Sequence, residues 1–295
     1  MDVKDYRKAY EAELAAPAAA AESSGGSNTF GAAVAPDDAN RLTEIQRAPL
    51  ARDDFGEKIP ALIATLRNAA ESTVIRLAAL RALRSAMFLG EHFAPFRADF
   101  LEALRQLAQQ GTDPLLCEGA LAVLAAEKDP AAQQQLRRGL QEQQSALVSP
   151  ATALQLLGFD DHANLAELAL DTFNKTSDLV VKEAALRILA TDAKSKDLFT
   201  KLLQDKKQPQ SLRALSAAGL NFLDPQKFAA VARNIVMDNN DFEDIRATVL
   251  GALANGPLHH IIHDDGSFLD HIKNLGAQTP LDNLRAAAGR FLTKR

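Results

Sequence analysis

The sequence predicts an all-α fold, a solenoid of about seven stacked helical hairpins, on three observations. A nine-residue motif recurs seven times at nearly constant spacing, a second helical pattern precedes each copy, and the composition suits close-packed helices better than sheets. Of the 295 residues 47% are hydrophobic but only 5% aromatic, with no Trp, so the core has to be built from Ala and Leu. An array of this length can form one cooperative stack, because each unit buries surface against its neighbours.

The motif runs Ile75–Leu83, Leu116–Leu124, Ser149–Leu157, Val181–Leu189, Leu212–Leu220, Ile245–Leu253 and Leu284–Leu292, and its last position is Leu in all seven copies. Its second position holds Arg76, Cys117, Pro150, Lys182, Arg213, Arg246 and Arg285, at intervals of 41, 33, 32, 31, 33 and 39 residues. A near-constant period of this size marks a repeat architecture. The positions kept apolar or small lie four, five and eight residues after the first, which is one face of an α-helix. Small residues such as Ala79, Ala120, Ala153 and Ala185 let neighbouring helices approach closely.

Ahead of each copy stands another helical pattern. It begins with Ile59, Leu62, Ile63 and Leu66, continues with Phe96, Phe100, Leu101, Leu104 and Leu107, then with Leu136 and Leu140 in a Gln-rich stretch. Later members are Leu165, Leu168 and Phe173, then Leu198, Leu202 and Leu203, then Phe228, Val231, Ile235 and Val236, and last Phe268, Leu269, Ile272 and Leu275. Two helices per period is the unit of an α-solenoid. Turn signals separate the units at Asp129-Pro130, Asp160-Asp161, Asp224-Pro225 and Gly256-Pro257.

Residues 1–55 read differently from the repeat region, 56–295. Ala15 to Ala35 is rich in Ala, Ser and Gly, and holds too few large apolar groups to offset the entropy of ordering, so a linker is expected there. Before it, Val3, Tyr6, Tyr10 and Leu14 form one stripe of a short amphipathic helix. After it, Asp37 or Asp38 can cap a helix reaching Arg47, with Pro49 ending it.

Charge and cysteine content narrow the function classes. The 33 Lys and Arg against 38 Asp and Glu leave a net charge of −5, which offers no overall field to attract nucleic acid. Cys117 is the only cysteine, so neither an intrachain disulfide nor a cysteine metal cluster can form, in keeping with a reducing, cytoplasmic setting. The N-terminus carries Asp2 and Asp5 where an export signal would be basic, and no stretch approaches the roughly 18 apolar residues of a membrane span.

A branched residue or Leu, then a basic residue, then Ala-rich spacing to paired Leu resembles the second helix of HEAT repeats, above all the shorter HEAT-like repeats of the phycobilisome lyase type. The resemblance covers about residues 56 to 295 and implies a right-handed solenoid. Most periods here are shorter than the roughly 40 to 47 residues of full HEAT repeats, and Pro150 stands where the third unit should be basic. The Trp-Leu-Gly pattern of tetratricopeptide arrays and the Thr-Pro-Leu-His of ankyrin arrays do not occur.

The resemblance also implies an acid in the turn pairing with the basic position along the stack; Glu71, Asp178, Asp241 and Asp282 stand ahead of Arg76, Lys182, Arg246 and Arg285. Such a ladder accounts for the arginine row better than phosphate binding does.

The functional expectation is a scaffold or adaptor, or an assembly factor, that binds another protein without catalysis. No phosphate loop, nucleophile elbow or kinase signature is present, and no cofactor is implied. The candidate partner strip is the exposed row of the second helices, Arg81, Arg84, Glu118, Gln155, Glu183, Arg187, Asn221 and Arg290, on the side that lines the concave surface of a solenoid. Tyr6 and Tyr10 are a further docking candidate. His259 and His263 share a helical face at i and i+4, as two metal ligands would, but a third ligand must come from folding, and solvent-facing histidines account for them as well. The alternative that the resemblance raises is a HEAT-like enzyme or accessory subunit, of the bilin lyase kind or, against the acidic charge, of the alkylpurine DNA glycosylase kind.

Overall fold

Side-chain caps decide where many of the helices begin. Ser72, Asp113, Asp129, Ser149, Asp178, Asp224 and Asp265 each accept a hydrogen bond from a backbone N–H of the following first turn. Pro114, Pro130, Pro150 and Pro225 then fill first-turn positions, whose missing N–H costs nothing there. The turn signals at Asp129-Pro130 and Asp224-Pro225 are therefore a cap and a first helical residue.

The structure, a computed structural model, describes residues 36–47, 55–110, 113–160, 164–256 and 265–293. Among these the fold is all-α, with fifteen α-helices, three short 3-10 turns and no strand. The chain divides into two compact units, residues 1–47 and 48–295. In the first, α1 spans Pro36–Arg47, the stretch where a short helix reaching Arg47 is expected.

The second unit holds seven helix pairs. They are α2 (Phe55–Arg67) with α3 (Thr73–Met87), α4 (Ala94–Gln110) with α5 (Pro114–Ala126), α6 (Pro130–Gln141) with α7 (Pro150–Leu157), and α8 (Ala166–Lys175) with α9 (Leu179–Leu189). Then follow α10 (Lys196–Gln204) with α11 (Gln210–Leu223), α12 (Pro225–Met237) with α13 (Glu243–Asn255), and α14 (Gly266–Gln278) with α15 (Asp282–Thr293). The two helices of each pair pack on each other, and each second helix packs on the next, from α3 on α5 through to α13 on α15. First helices meet less: α2 packs on α4, α4 on α6, α10 on α12 and α12 on α14, but neither α6 and α8 nor α8 and α10 form a comparable contact.

The invariant Leu position is the spine of the core. Leu83, Leu124, Leu157, Leu189, Leu220 and Leu253 are at most 3% exposed, and only Leu292 in the last helix is half-buried. Buried residues form two clusters, one from Phe55 to Leu165 and one from Ala151 to Phe291. They meet in α7, which sends Ala153, Leu156 and Leu157 to the first and Ala151 and Leu154 to the second. That helix has only eight residues, because Ser149 and Pro150 are its cap and first residue; elsewhere the second helix starts two residues ahead of the motif.

Two corrections concern the first helices. In α10 it is Phe199, fully buried, that leads the core face, while Leu198 is half-buried. Gly219 of α11 makes room for it: a Cβ there would come within 2.9 Å of the Phe199 ring. In the fourth pair, Leu165 lies just ahead of α8, buried but outside the helix.

Candidate interaction surface

The basic motif position is structural where it is buried. Arg76 donates through Nε to the Leu66 carbonyl at 3.0 Å, Arg213 to Leu203 at 2.9 Å and Arg246 to Val236 at 3.1 Å, each reaching back ten residues. Those carbonyls end α2, α10 and α12, so each guanidinium caps the negative end of the first helix in its own pair. Buried between helices, these arginines offer no row to a phosphate.

The acid partners differ from those the resemblance implies. Asp241 pairs with Arg213 of the preceding unit rather than with Arg246: Nη1 and Nη2 donate to its two carboxylate oxygens at 2.6 and 2.7 Å. Burial works to raise the pKa of Asp241, but these bonds outweigh it and hold the carboxyl below its ordinary value. Asp178 caps α9, and Lys182 lies over the Phe173 ring instead. Asp282 does pair with Arg285, within α15.

The polar strip resolves into three rows on adjoining second helices. Arg81, Gln155, Arg187 and Arg290 occupy the same motif position and are exposed. Glu118 and Glu183 lie one helical turn earlier, Glu118 exposed and Glu183 half-buried, with Arg187 3.7 Å from Glu183. Arg84 and Asn221 lie three residues beyond the arginine row and are half-buried. Small residues stand between them: at the Arg81 position the other units carry Ala122, Ala218 and Gly251, and the Arg290 guanidinium reaches to 4.0 Å from where a Gly251 Cβ would stand.

Sequence reasoning missed a second feature on the same helices. Of the ten large hydrophobic residues exposed among the described ones, six lie in or just ahead of the first turn of a second helix: Val74, Leu115, Leu179, Val180, Phe242 and Leu281. Val74, Leu115 and Val180 occupy the position immediately before the motif, so the aligned repeats contained the signal. Thr73 donates to Asp113 at 2.6 Å and Asn283 to Asp244 at 2.7 Å, which sets the starts of consecutive second helices side by side.

The remaining candidates carry little chemistry. Cys117 is buried, with Sγ 3.9 Å from the Ala108 carbonyl, and burial pushes its thiol up, away from the reactive thiolate. His271 sits against the Val236 carbonyl at 3.0 Å and Arg246 at 3.3 Å, part of the same helix-end cap. Among the described residues no group of three His, Cys, Asp or Glu could hold a metal ion, and no helix is long and apolar enough to cross a membrane. Tyr6, Tyr10, His259 and His263 lie outside the described residues. Comparison with known proteins finds no family model that matches the chain and no match among curated proteins.

Proposed function

We propose that residues 55–293 are a right-handed α-solenoid of HEAT-like hairpins, and that the protein is a non-enzymatic scaffold or adaptor whose second helices bind another protein. The observation that carries this reading is the unbroken succession of second helices, α3 to α15, each in contact with the next. They pack together more closely than the first helices do, which supports a concave side formed by the second helices. On that side Arg81, Gln155, Arg187 and Arg290 project from a motif position that is small in the other three units, Ala122, Ala218 and Gly251, which leaves room for a partner between them.

Affinity capture with the tagged full-length chain tests the proposal, with a variant carrying Arg81→Ala, Arg187→Ala and Arg290→Ala as its control. The wild type should retain a specific protein that the triple variant loses while staying folded. Equal recovery by both would move the site elsewhere, and turnover of a small substrate without a macromolecular partner would overturn the reading.

A further inference from the structure

We infer that the edge where the second helices begin is a docking strip for an extended, basic segment of a partner protein with an apolar residue at every third position. This rests on reading the chain as a protein-binding scaffold, and it names a different surface and the chemistry of the partner.

Two independent features meet on this edge. The first is the apolar row: Val74 is 36% exposed, Leu115 50%, Val180 59%, Phe242 47% and Leu281 37%. Scattered apolar residues on a surface are ordinary, but five of the seven units expose one at the start of the second helix, Val74, Leu115 and Val180 one position before the motif and Phe242 and Leu281 three positions before it. Exposed apolar surface beyond the ordinary scatter marks interaction sites.

The second feature is charge. In the four-residue stretches ending just before Ile75, Leu116, Ser149, Val181, Leu212, Ile245 and Leu284 there are seven acids and no Lys, Arg or His. Asp241 is neutralised by the buried Arg213, whereas Asp178, Asp244 and Asp282 are exposed and Glu243 is half-exposed. The basic motif residues that follow do not cancel this on the surface at Arg76, Arg213 and Arg246, because those side chains are buried, whereas the exposed Arg285 pairs with Asp282. An acidic edge studded with apolar side chains complements a segment that is both basic and apolar.

Spacing selects an extended chain. Packed helix axes lie about 8–10 Å apart, and a chain in the extended polyproline II conformation has about three residues per turn and advances roughly 3.1 Å per residue, so that its third side chain returns to the same face. Every third side chain therefore meets the next helix start. Between apolar contacts, basic side chains reach the carboxylates of Asp178, Glu243 and Asp244. The arrangement is a ladder read across rungs.

The test is a fluorescence-anisotropy titration of the full-length chain with a labelled peptide of about 18 residues, in which Leu and Lys each recur every third position. Its controls are the same peptide with Glu for Lys and a scrambled Leu/Lys order. The Leu/Lys peptide should bind, more weakly as salt rises, and the Glu peptide should not. Leu115→Ser with Val180→Ser should weaken binding about tenfold or more by removing apolar contacts, and Glu243→Gln with Asp244→Asn should weaken it several-fold and flatten the salt dependence. Far-UV circular dichroism verifies that both double variants keep their helices; for any that does not, Leu115→Thr and Val180→Thr replace it.

Equal binding of the Lys, Glu and scrambled peptides, or folded edge variants that bind like wild type, would overturn the inference. The outcome is separable from the scaffold reading. A natural partner captured by wild type and lost only by the arginine triple variant keeps the scaffold and removes the edge.

Discussion

The junction between the fifth and sixth helix pairs and those around the fourth are held by different forces. At the former, Arg213 and Asp241 form a bidentate ion pair with side chains 0% and 3% exposed, flanked by Lys206–Asp238 at 2.5 Å and Lys227–Asp197 at 2.6 Å. The next junction continues this with Arg233–Asp265 at 2.7 Å. Around the fourth pair the polar links are confined to the turns. After the third pair Gln133 donates to Asp160 at 2.9 Å, with Lys128 at 3.6 Å; between the fourth and fifth, Thr191 bonds the Ile188 carbonyl while Asp192 accepts from Lys194 and Ser195. There the stack depends on apolar contact between second helices, and it is also where the two core clusters meet. Stacking alone can hold the repeats; buried charge adds a directional constraint that apolar packing lacks.

The largest effect should come from the charged junction. Asp241→Ala strands the Arg213 guanidinium in the core and should cost about 3–5 kcal/mol in urea denaturation. Replacing both partners with apolar residues, Arg213→Met and Asp241→Leu, should recover most of that loss. Failure to recover would mean that the ion pair supplies more than alignment. Next comes the apolar junction: Leu189→Ala, at a site 1% exposed, should cost about 2–5 kcal/mol through lost transfer energy and a residual cavity. A negligible loss there would show that the central units do not depend on the Leu spine.

Acid should separate the two kinds of junction without mutation. The carboxyls of Asp241 and Asp265 lie below their ordinary value of 3.8, Asp265 at about 2, where the Ser267 hydroxyl, the Phe268 amide and Arg233 bond to it. A depressed folded pKa means that the unfolded chain takes up protons first as pH falls. The stability these groups contribute is therefore complete above the ordinary value and is lost on acidifying towards the folded one. Hydrogen exchange from pH 4 to pH 2 should show α12 to α14 losing protection before α7 and α9. The opposite order would dissolve the contrast.

The smallest effect on stability belongs to the exposed strip. Arg187→Ala removes only an open contact with Glu183 and should move stability by no more than about 0.5 kcal/mol. If partner binding falls while the melting curve holds, strip and core are separable.

Much of the fold was legible because its signals are local and repeated. The Leu spine and the helix-pair count follow from spacing, and the Asp-Pro boundaries between units from turn signals, which need only a few consecutive residues. Other assignments were not. Leu198 and Phe199 both keep helical spacing with Leu202, and only the approach of Gly219 selects Phe199 for the core. Asp241 stands five residues before Arg246, yet it pairs with Arg213, 28 residues away, because the turn of one hairpin lies over the basic position of the one before. The sequence by itself determined which positions repeat and which must be apolar, since periodicity follows from helix geometry. Tertiary structure alone decided which arginines are buried, which acids meet them and which apolar residues stay in water, because those depend on neighbours a full repeat away.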